Sequence, residues 1–477
     1  MDNPRISREP PQRIDAEADV VVIGAGACGL VAALRAVACG ADVVVLERDG
    51  SPTGSTSMSS GFVPAPATRF QHEIGVKDDT LEVFASDILA KSKGKSVAAL
   101  AQLAAKAIGP ALEWLADEHG LEWIVLDDFL YPGHSRHRMH AVPEKTGAAL
   151  EARLLSATEA AGIGIITDAH VTVLYAKDAE RITAVGVTRP DGSTEVLGCK
   201  ALVLACNGFG GNRQLVRQHI PEIANGLYYG HQGNTGNALI WGEALGARIE
   251  HVSGYQGHGS LAHPHGILIS WALMMEGGIQ VNSEGVRFSN EHGGYSEQAV
   301  NVLSQPGGVA WNIYDARLHE FARGFPDYQE AIAAGAIRQA ADVSELARVT
   351  GLPEPELART LSDVALYQAG AAADPFGRDF SGKPGLNAPF HAVKVTGALF
   401  HTQGGLMIDE LARVVHTDGR CFPNLFAGGG AACGVSGPDV SGYLSGNGLL
   451  TAISFGFIAG DSAGRMVASG LTARDPD

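Results

Sequence analysis

Glycines at positions 24, 26 and 29 and an acid at 47 are the residues whose types and spacing could do chemistry together. Gly24-Ala25-Gly26-Ala27-Cys28-Gly29 reads G-x-G-x-x-G. Gly24 allows a tight turn, Gly26 lets backbone approach a pyrophosphate, and Gly29 lets a helix lie close on the preceding strand. Glu47 can accept hydrogen bonds from both hydroxyls of an adenosine ribose, which favours NAD or FAD over a 2′-phosphorylated dinucleotide. Beyond Glu47 and Arg48 lies Gly54-Ser55-Thr56-Ser57-Met58-Ser59-Ser60-Gly61. Its hydroxyls and backbone N–H groups suit phosphate or ribityl oxygens.

The flanking elements are in the order such a site requires. Val20–Ile23 is a β-branched run that predicts a strand buried on both faces. Leu30–Gly40 is Ala- and Leu-rich and ends on glycine, as a helix does. Ala41–Leu46 predicts a second buried strand, with Glu47 at its C-terminal end. Helical patterns run through 79–120, and Thr146–Ala161 reads as one more helix. Ile163–Ile166, Val171–Tyr175 and Ile182–Val187 are expected to form a three-stranded antiparallel insert, with Val171 among the cofactor contacts. Ala201–Gly208 is another buried strand, and its small terminal residues Ala205, Asn207 and Gly208 would lie beside the dinucleotide.

From Asn234-Thr-Gly-Asn237 to about Phe390, short strands mix with amphipathic helices, one of them starting near Pro353. After His401 the glycine-rich character returns, with Gly429, Gly446 and Asn447 ahead of an apolar helix over Gly448–Val467 that includes Leu449 and Leu450. The expected fold class is α/β: a Rossmann-like nucleotide domain (18–235 and 393–477) interrupted by an α+β cap (236–392).

The 477 residues are enough for two or three domains. A net charge of −17 argues against nucleic-acid or anionic-membrane partners. Residues 1–17 read as a polar tail without the apolar core of a signal peptide. No stretch approaches the apolar length of a membrane helix, so a soluble cytoplasmic protein is expected. Six scattered cysteines include no C-x-x-C pair, so neither zinc nor c-type haem is signalled and no metal is expected. Tyr131-Pro-Gly-His134-Ser-Arg136-His137-Arg138-Met-His140 lacks regular ligand spacing; it reads either as a loop facing an active site or as a solvated surface loop.

Four separated segments together resemble the flavoproteins of the fumarate reductase, succinate dehydrogenase and 3-ketosteroid dehydrogenase group. They are the dinucleotide motif with Ser55-Thr56, Val281-Asn-Ser-Glu-Gly-Val-Arg-Phe-Ser-Asn-Glu291, His401-Thr-Gln-Gly-Gly-Leu-Met-Ile-Asp409, and Asn424-Leu-Phe-Ala through Gly446-Asn-Gly-Leu-Leu. The resemblance spans essentially the whole chain. It implies FAD as cofactor, an FAD domain interrupted by a cap, and substrate held over the flavin. The Gly54–Gly61 loop has no histidine for covalent attachment, and Ala427-Gly-Gly-Gly430 replaces the reductases' A-A-G-E, so non-covalent FAD is expected.

Two departures from the reductase pattern bear on the reaction. The arginine that donates a proton in fumarate reductases, four residues after Asn-Glu, is Tyr295 here. The arginine that binds the substrate carboxylate, before L-x-G-N, is Tyr443. Tyrosines at both places resemble 3-ketosteroid Δ1-dehydrogenases and related cyclic-ketone desaturases. That likeness implies Tyr295 as the base at the carbon next to a ketone, and Tyr443 with the backbone N–H at Asn447 polarising the carbonyl. Tyr131 would be the partner hydroxyl of Tyr295. Gln256-Gly257-His258 and His401, by contrast, resemble the carboxylate-binding histidines of the reductases.

Three readings follow. The first is an FAD-dependent α,β-dehydrogenase of a cyclic ketone, either a 3-ketosteroid or a small ring ketone bearing a carboxylate, such as 4-oxocyclohexanecarboxylate. The second is a flavin reductase of an unsaturated acid, and the third an FAD-carrying, non-catalytic subunit. The electron acceptor is open between oxygen, quinone and a carrier protein.

Overall fold

The computed structural model describes residues 4–178 and 180–470. The chain divides into two compact units. The first takes the chain up to His219, Gly230–Tyr255 and the part from His401 on; the second takes Ile220–Tyr229 and Gln256–Phe400.

The first unit is built on a nine-stranded sheet. Ala16–Ile23 lies inside it, parallel to Val43–Leu46 on one side and to Thr194–Leu204 on the other. Val20, Val21 and Val22 are fully buried, as strands covered on both faces require. The helix Ala27–Ala38 follows the glycine turn and packs against the C-terminal helix Asn447–Ala468. Small residues permit that approach: a Cβ at Gly460 would meet the Ala32 carbonyl oxygen at 2.2 Å. Cys421–Ala427 pairs in parallel with Leu202–Leu204, which returns the C-terminal part of the chain to the same sheet.

Two local expectations are corrected. Residues 1–17 are not a tail throughout, because Arg5–Ser7 is a strand parallel to Val173–Tyr175. Gly164–Ile166 is not part of an antiparallel insert; it pairs in parallel with Val44–Leu46 at the sheet's edge. The antiparallel meander is His170–Lys177, Arg181–Thr188 and Thr194–Leu204. A run as short as Ile163–Ile166 carries no mark of its neighbour, and the register was settled by the helix Gly147–Ala160 that delivers it.

The second unit has a seven-stranded sheet around Phe390–Thr402, which pairs with Val309–Asp315 and with Ile337–Ala340. Alternation along these strands feeds two cores. Ile313 and Ala392 join Ile279, Val281 and Phe380, whereas Tyr314 and Val393 join Trp271, Leu318 and Tyr328. The helices Tyr295–Leu303, Val343–Thr350 and Glu354–Gln368 belong here, the last preceded by Pro353 as expected.

The units divide at 219/220, 229/230, 255/256 and 400/401, where the sequence suggested 235/236 and 392/393. The helix Asn237–Leu245 lies with the first unit because Trp241 and Leu245 are part of its core. Residues 393–400 lie with the second because Phe390–Thr402 is one continuous strand of that sheet.

Candidate functional site: a dinucleotide cradle and two tyrosine–histidine pairs

The glycine turn is held from three sides. The Ala27 amide donates to Thr56 Oγ1 (3.0 Å), and the Ala25 amide to Glu47 Oε2 (2.9 Å). The other Glu47 oxygen accepts from the Asp49 amide (3.1 Å). Gly24 has φ +104° and its Cβ would meet the Ala205 carbonyl oxygen at 2.6 Å; a Cβ at Gly29 would lie 1.9 Å from the Gly24 oxygen. At Gly26 a Cβ would meet only Thr56 Oγ1, at 3.3 Å. The Cys28 side chain turns away to Gly428, and burial pushes its thiol up to about 12, so it is inert packing.

The residues singled out around this turn lie in the same unit. Ser55 Oγ accepts from Asn207 Nδ2 (3.0 Å) and Asn234 Nδ2 (2.9 Å). Asn207 itself sits at φ +62° and takes the Gly208 amide on Oδ1. Arg48 Nη1 donates to the Gly233 carbonyl (2.7 Å), and Asn237 Oδ1 accepts from Thr235 Oγ1. Ser60 is exposed, while Gly61 is buried against the Thr146 backbone. Val171 is buried in the meander opposite Val187, and Gly429 (φ +55°) follows the strand Cys421–Ala427. Gly446 (φ +85°) caps the helix Asn447–Ala468, whose first turn contains Leu449 and the buried Leu450.

These residues fit FAD. A glycine at 26 with only the Thr56 hydroxyl close to where a Cβ would stand, hydroxyls at Ser55 and Thr56 and a carboxylate at Glu47 match a pyrophosphate and a ribose. Asn447 Oδ1, fully buried at the start of the C-terminal helix, has no hydrogen-bond partner among the described residues, as an acceptor kept for a cofactor N–H would be. Asn234 was not legible as part of this cradle, since the N-T-G-N run reads as a domain boundary.

Tyr443 is buried in the first unit, its ring edge-on to His401 at 5.5 Å between centroids. A polar chain runs from His401 Nδ1 to Gln403 Nε2 (3.0 Å), from Gln403 Oε1 to Ser436 Oγ (2.6 Å), and from Ser436 Oγ to Asn447 Nδ2 (3.0 Å). Although His401 keeps some surface, the atoms packed round its ring push its pKa down to about 4. Tyr131, half-buried in the same unit, lies edge-on to Phe129 (5.0 Å) and Phe62 (5.9 Å). The His-rich stretch around it is not a solvated loop. Arg138 is fully buried and pairs with Asp79 and Asp87.

Tyr295 opens the helix Tyr295–Leu303 in the second unit, after Gly294 at φ +135°. His258, on the strand Tyr255–Ala262, stacks on Tyr295 (5.0 Å, 27°) and on Phe400 (5.2 Å, 19°). Burial pushes its pKa down to about 3. The turn before Tyr295 is anchored by Glu291, whose carboxylate accepts from Arg287 (2.9 and 2.7 Å), faces Arg378 (3.0 Å) and takes the Gln280 amide (3.0 Å). The R-F-x-N-E stretch thus serves as an ion-pair anchor.

Among the described residues no helix is long and apolar enough to cross a membrane. Residues 19–449 match a family model described as FAD binding domain. A probable fumarate reductase of Shewanella frigidimarina is 29% identical over 94% of this chain and 74% of its own length. The open conformation of a flavocytochrome c3 fumarate reductase superposes with a TM-score of 0.81 at 26% identity, covering 95% of this chain and 79% of the other. The 3-ketosteroid-Δ4-(5α)-dehydrogenase of Rhodococcus jostii RHA1 superposes with a TM-score of 0.77 at 24% identity, over 97% and 99% of the two chains, and shares the fold. The chain therefore belongs to the FAD binding domain family and is an FAD-dependent oxidoreductase.

Proposed function

We propose that the protein is a cyclic-ketone α,β-dehydrogenase, with Tyr295 as the base and Tyr443 as the carbonyl donor. The observation that carries this is a phenol ring beside each of the two histidines, once in each unit, at positions where the resemblance to the reductases implies a guanidinium. A guanidinium binds a carboxylate through paired charge-assisted bonds, which a phenol cannot reproduce. A phenol can donate one hydrogen bond to a ketone oxygen, and as phenolate it can remove an α-proton. When bound, FAD supplies the two-electron chemistry that takes the β-hydride. The ketone's α-proton goes to the Tyr295 oxygen, while the Tyr443 hydroxyl stabilises the charge that develops on the carbonyl oxygen.

The neutral imidazoles narrow the substrate. His258 Nδ1 accepts the Ser260 amide (3.1 Å), so its proton is on Nε2 and the ring offers a donor. Donors of this kind, with two phenols, suit a small ring ketone that also carries a carboxylate, such as 4-oxocyclohexanecarboxylate. The second reading, reduction of an unsaturated acid, is favoured by those same histidines and by the likeness to a fumarate reductase. A carrier protein, quinone or oxygen would reoxidise the flavin in the first case and an enoate in the second.

Anaerobic mixing separates the two. The yellow FAD-loaded protein should bleach with 4-oxocyclohexanecarboxylate or a 3-ketosteroid. Reoxidation of the reduced protein by fumarate or another enoate, with no bleaching by either ketone, would replace this reading with the second. No response to any of them without an added protein would favour the carrier subunit.

A further inference from the structure

The buried arginine of the His-rich stretch has no role in the chemistry above, yet it is tied to the segment that carries Tyr443. Arg138 donates from Nε and Nη2 to Asp79 (2.9 and 2.8 Å) and from Nη1 to Asp87 (2.5 Å). The same Nη1 lies 3.1 Å from His134 Nδ1. His134 Nε2 in turn lies 2.9 Å from the Ser445 carbonyl oxygen. An arginine has only donors and a carbonyl only an acceptor, so the direction of both bonds is fixed. Nδ1 accepts, Nε2–H donates, and the ring is neutral.

Ser445 lies between Tyr443 and Asn447, in the turn that starts the C-terminal helix. The same face is packed as well as bonded, since a Cβ at Gly133 would sit 2.7 Å from Leu444 Cδ1. The His134 amide donates to the Tyr131 carbonyl (3.0 Å), so Tyr131 begins the turn that His134 closes. Two acids, an arginine and an imidazole thus fasten the Tyr131–His134 turn to the Tyr443–Asn447 turn within one unit.

We infer that His134 is a positioning residue: its Nε2–H holds the Ser445 carbonyl and so aims the Tyr443 hydroxyl, whereas the Asn447 backbone N–H, expected to share that task, is given to the Leu444 carbonyl (3.0 Å). A carbonyl donor displaced by a fraction of an ångström loses much of its value in the transition state while ground-state binding changes little. The functional consequence rests on the ketone reading above; the clamp itself does not.

Two near-isosteric variants divide the two bonds. His134→Asn keeps a group that can accept from Arg138 but cannot reach Ser445, whereas His134→Gln can place an amide N–H near the Nε2 position. The test uses full-length, FAD-loaded protein and reads amide hydrogen exchange over 443–450 together with the rate of flavin reduction by 4-oxocyclohexanecarboxylate. In His134→Asn, exchange in that segment should speed up about tenfold or more, the worth of one hydrogen bond to a neutral donor. Reduction should slow by a similar factor, with ketone affinity and retained flavin unchanged. His134→Gln should stay within about threefold of the wild type in both. Unchanged exchange in His134→Asn, or exchange in His134→Gln as fast as in His134→Asn, would overturn the inference. If His134→Asn does not fold, faster exchange in His134→Gln alone overturns it. A wild-type protein that no ketone reduces would sink the ketone reading and leave the exchange result to decide the clamp.

Discussion

His258 lies stacked on the ring of Tyr295, centroids 5.0 Å apart, with its Nδ1 taken by the Ser260 amide. An imidazole so enclosed is a fixed neutral donor. Its pKa is pushed down to about 3 and that of His401 to about 4. Neither ring gains charge between pH 5 and 8. The affinity for a substrate carboxylate should therefore stay flat over that range, read as Kd from flavin absorbance changes. A rise in affinity as pH falls through about 6.5, the ordinary imidazole value, would mean that a histidine charges there.

Stability should respond to pH where binding does not. Burial pushes His134 and His140 to about 4 and His258 to about 3, against about 6.5 in an unfolded chain. The unfolded state then binds more protons below pH 6.5, so stability falls as pH drops from there toward the folded values. At pH 5 the loss is on the order of 2 kcal/mol for each such histidine. Thermal unfolding of the FAD-loaded protein should begin at lower temperature at pH 5 than at pH 7. His140→Gln, which keeps a partner for Thr68 Oγ1, should reduce that difference.

Tyr443→Phe removes one donor and leaves the ring against His401. Loss of one donor at a developing oxyanion costs roughly 3 kcal/mol, or about a hundredfold in rate. Stopped-flow reduction by the ketone should slow by that factor with retained flavin unchanged. Tyr295→Phe removes the proposed base and should slow the same phase by at least as much. Wild-type rates in either variant would remove that tyrosine from the reaction.

Gly29→Ala tests the cradle. Its Cβ would fall 1.9 Å from the Gly24 oxygen, a backbone atom held by the sheet, and the helix behind it cannot retreat past Asn447–Ala468. The variant should purify colourless, with FAD content well below stoichiometric. Thr56→Val is milder. It takes one acceptor from the Ala27 amide and should weaken FAD binding about tenfold, measured by dissociation into apoprotein.

The nucleotide half was legible in the sequence because its physics is local. Buried β-branched strands, glycines at forced positions and an acid one strand later specify each other within thirty residues or so. What escaped was set by distant partners. Arg5–Ser7 looks like any polar tail until Val173–Tyr175 offers it an edge. Asn234 looks like a turn residue until Ser55 is found 2.9 Å away. Arg138 reads only as one charge of a loop, facing either an active site or solvent, because its two acids lie some fifty to sixty positions earlier and its burial is written nowhere near it. The tyrosines were visible as residue types, but the imidazole beside each was fixed only by the fold.

Glu291 offers the last test, because it separates the second unit's order from the cofactor's binding. Its carboxylate is 1% exposed and shared between Arg287 and Arg378, with Asp374 as the second partner of Arg287. Glu291→Gln keeps the shape and the Gln280 contact but removes the charge. Arg287 retains Asp374; Arg378 loses a charged partner and keeps the Gly278 and Met274 carbonyls. Breaking a buried pair from one side costs about 3–5 kcal/mol, because the remaining charge stays buried. The turn that Glu291 anchors is the one that launches Tyr295, so the phenol should lose its aim before the unit unfolds. The variant should show faster proteolysis within 256–400 and at least tenfold slower reduction by ketone. FAD content should be unchanged, since every residue of the cradle lies in the other unit. Loss of flavin with proteolysis unchanged would show that the ion cluster supports the cofactor and not the tyrosine.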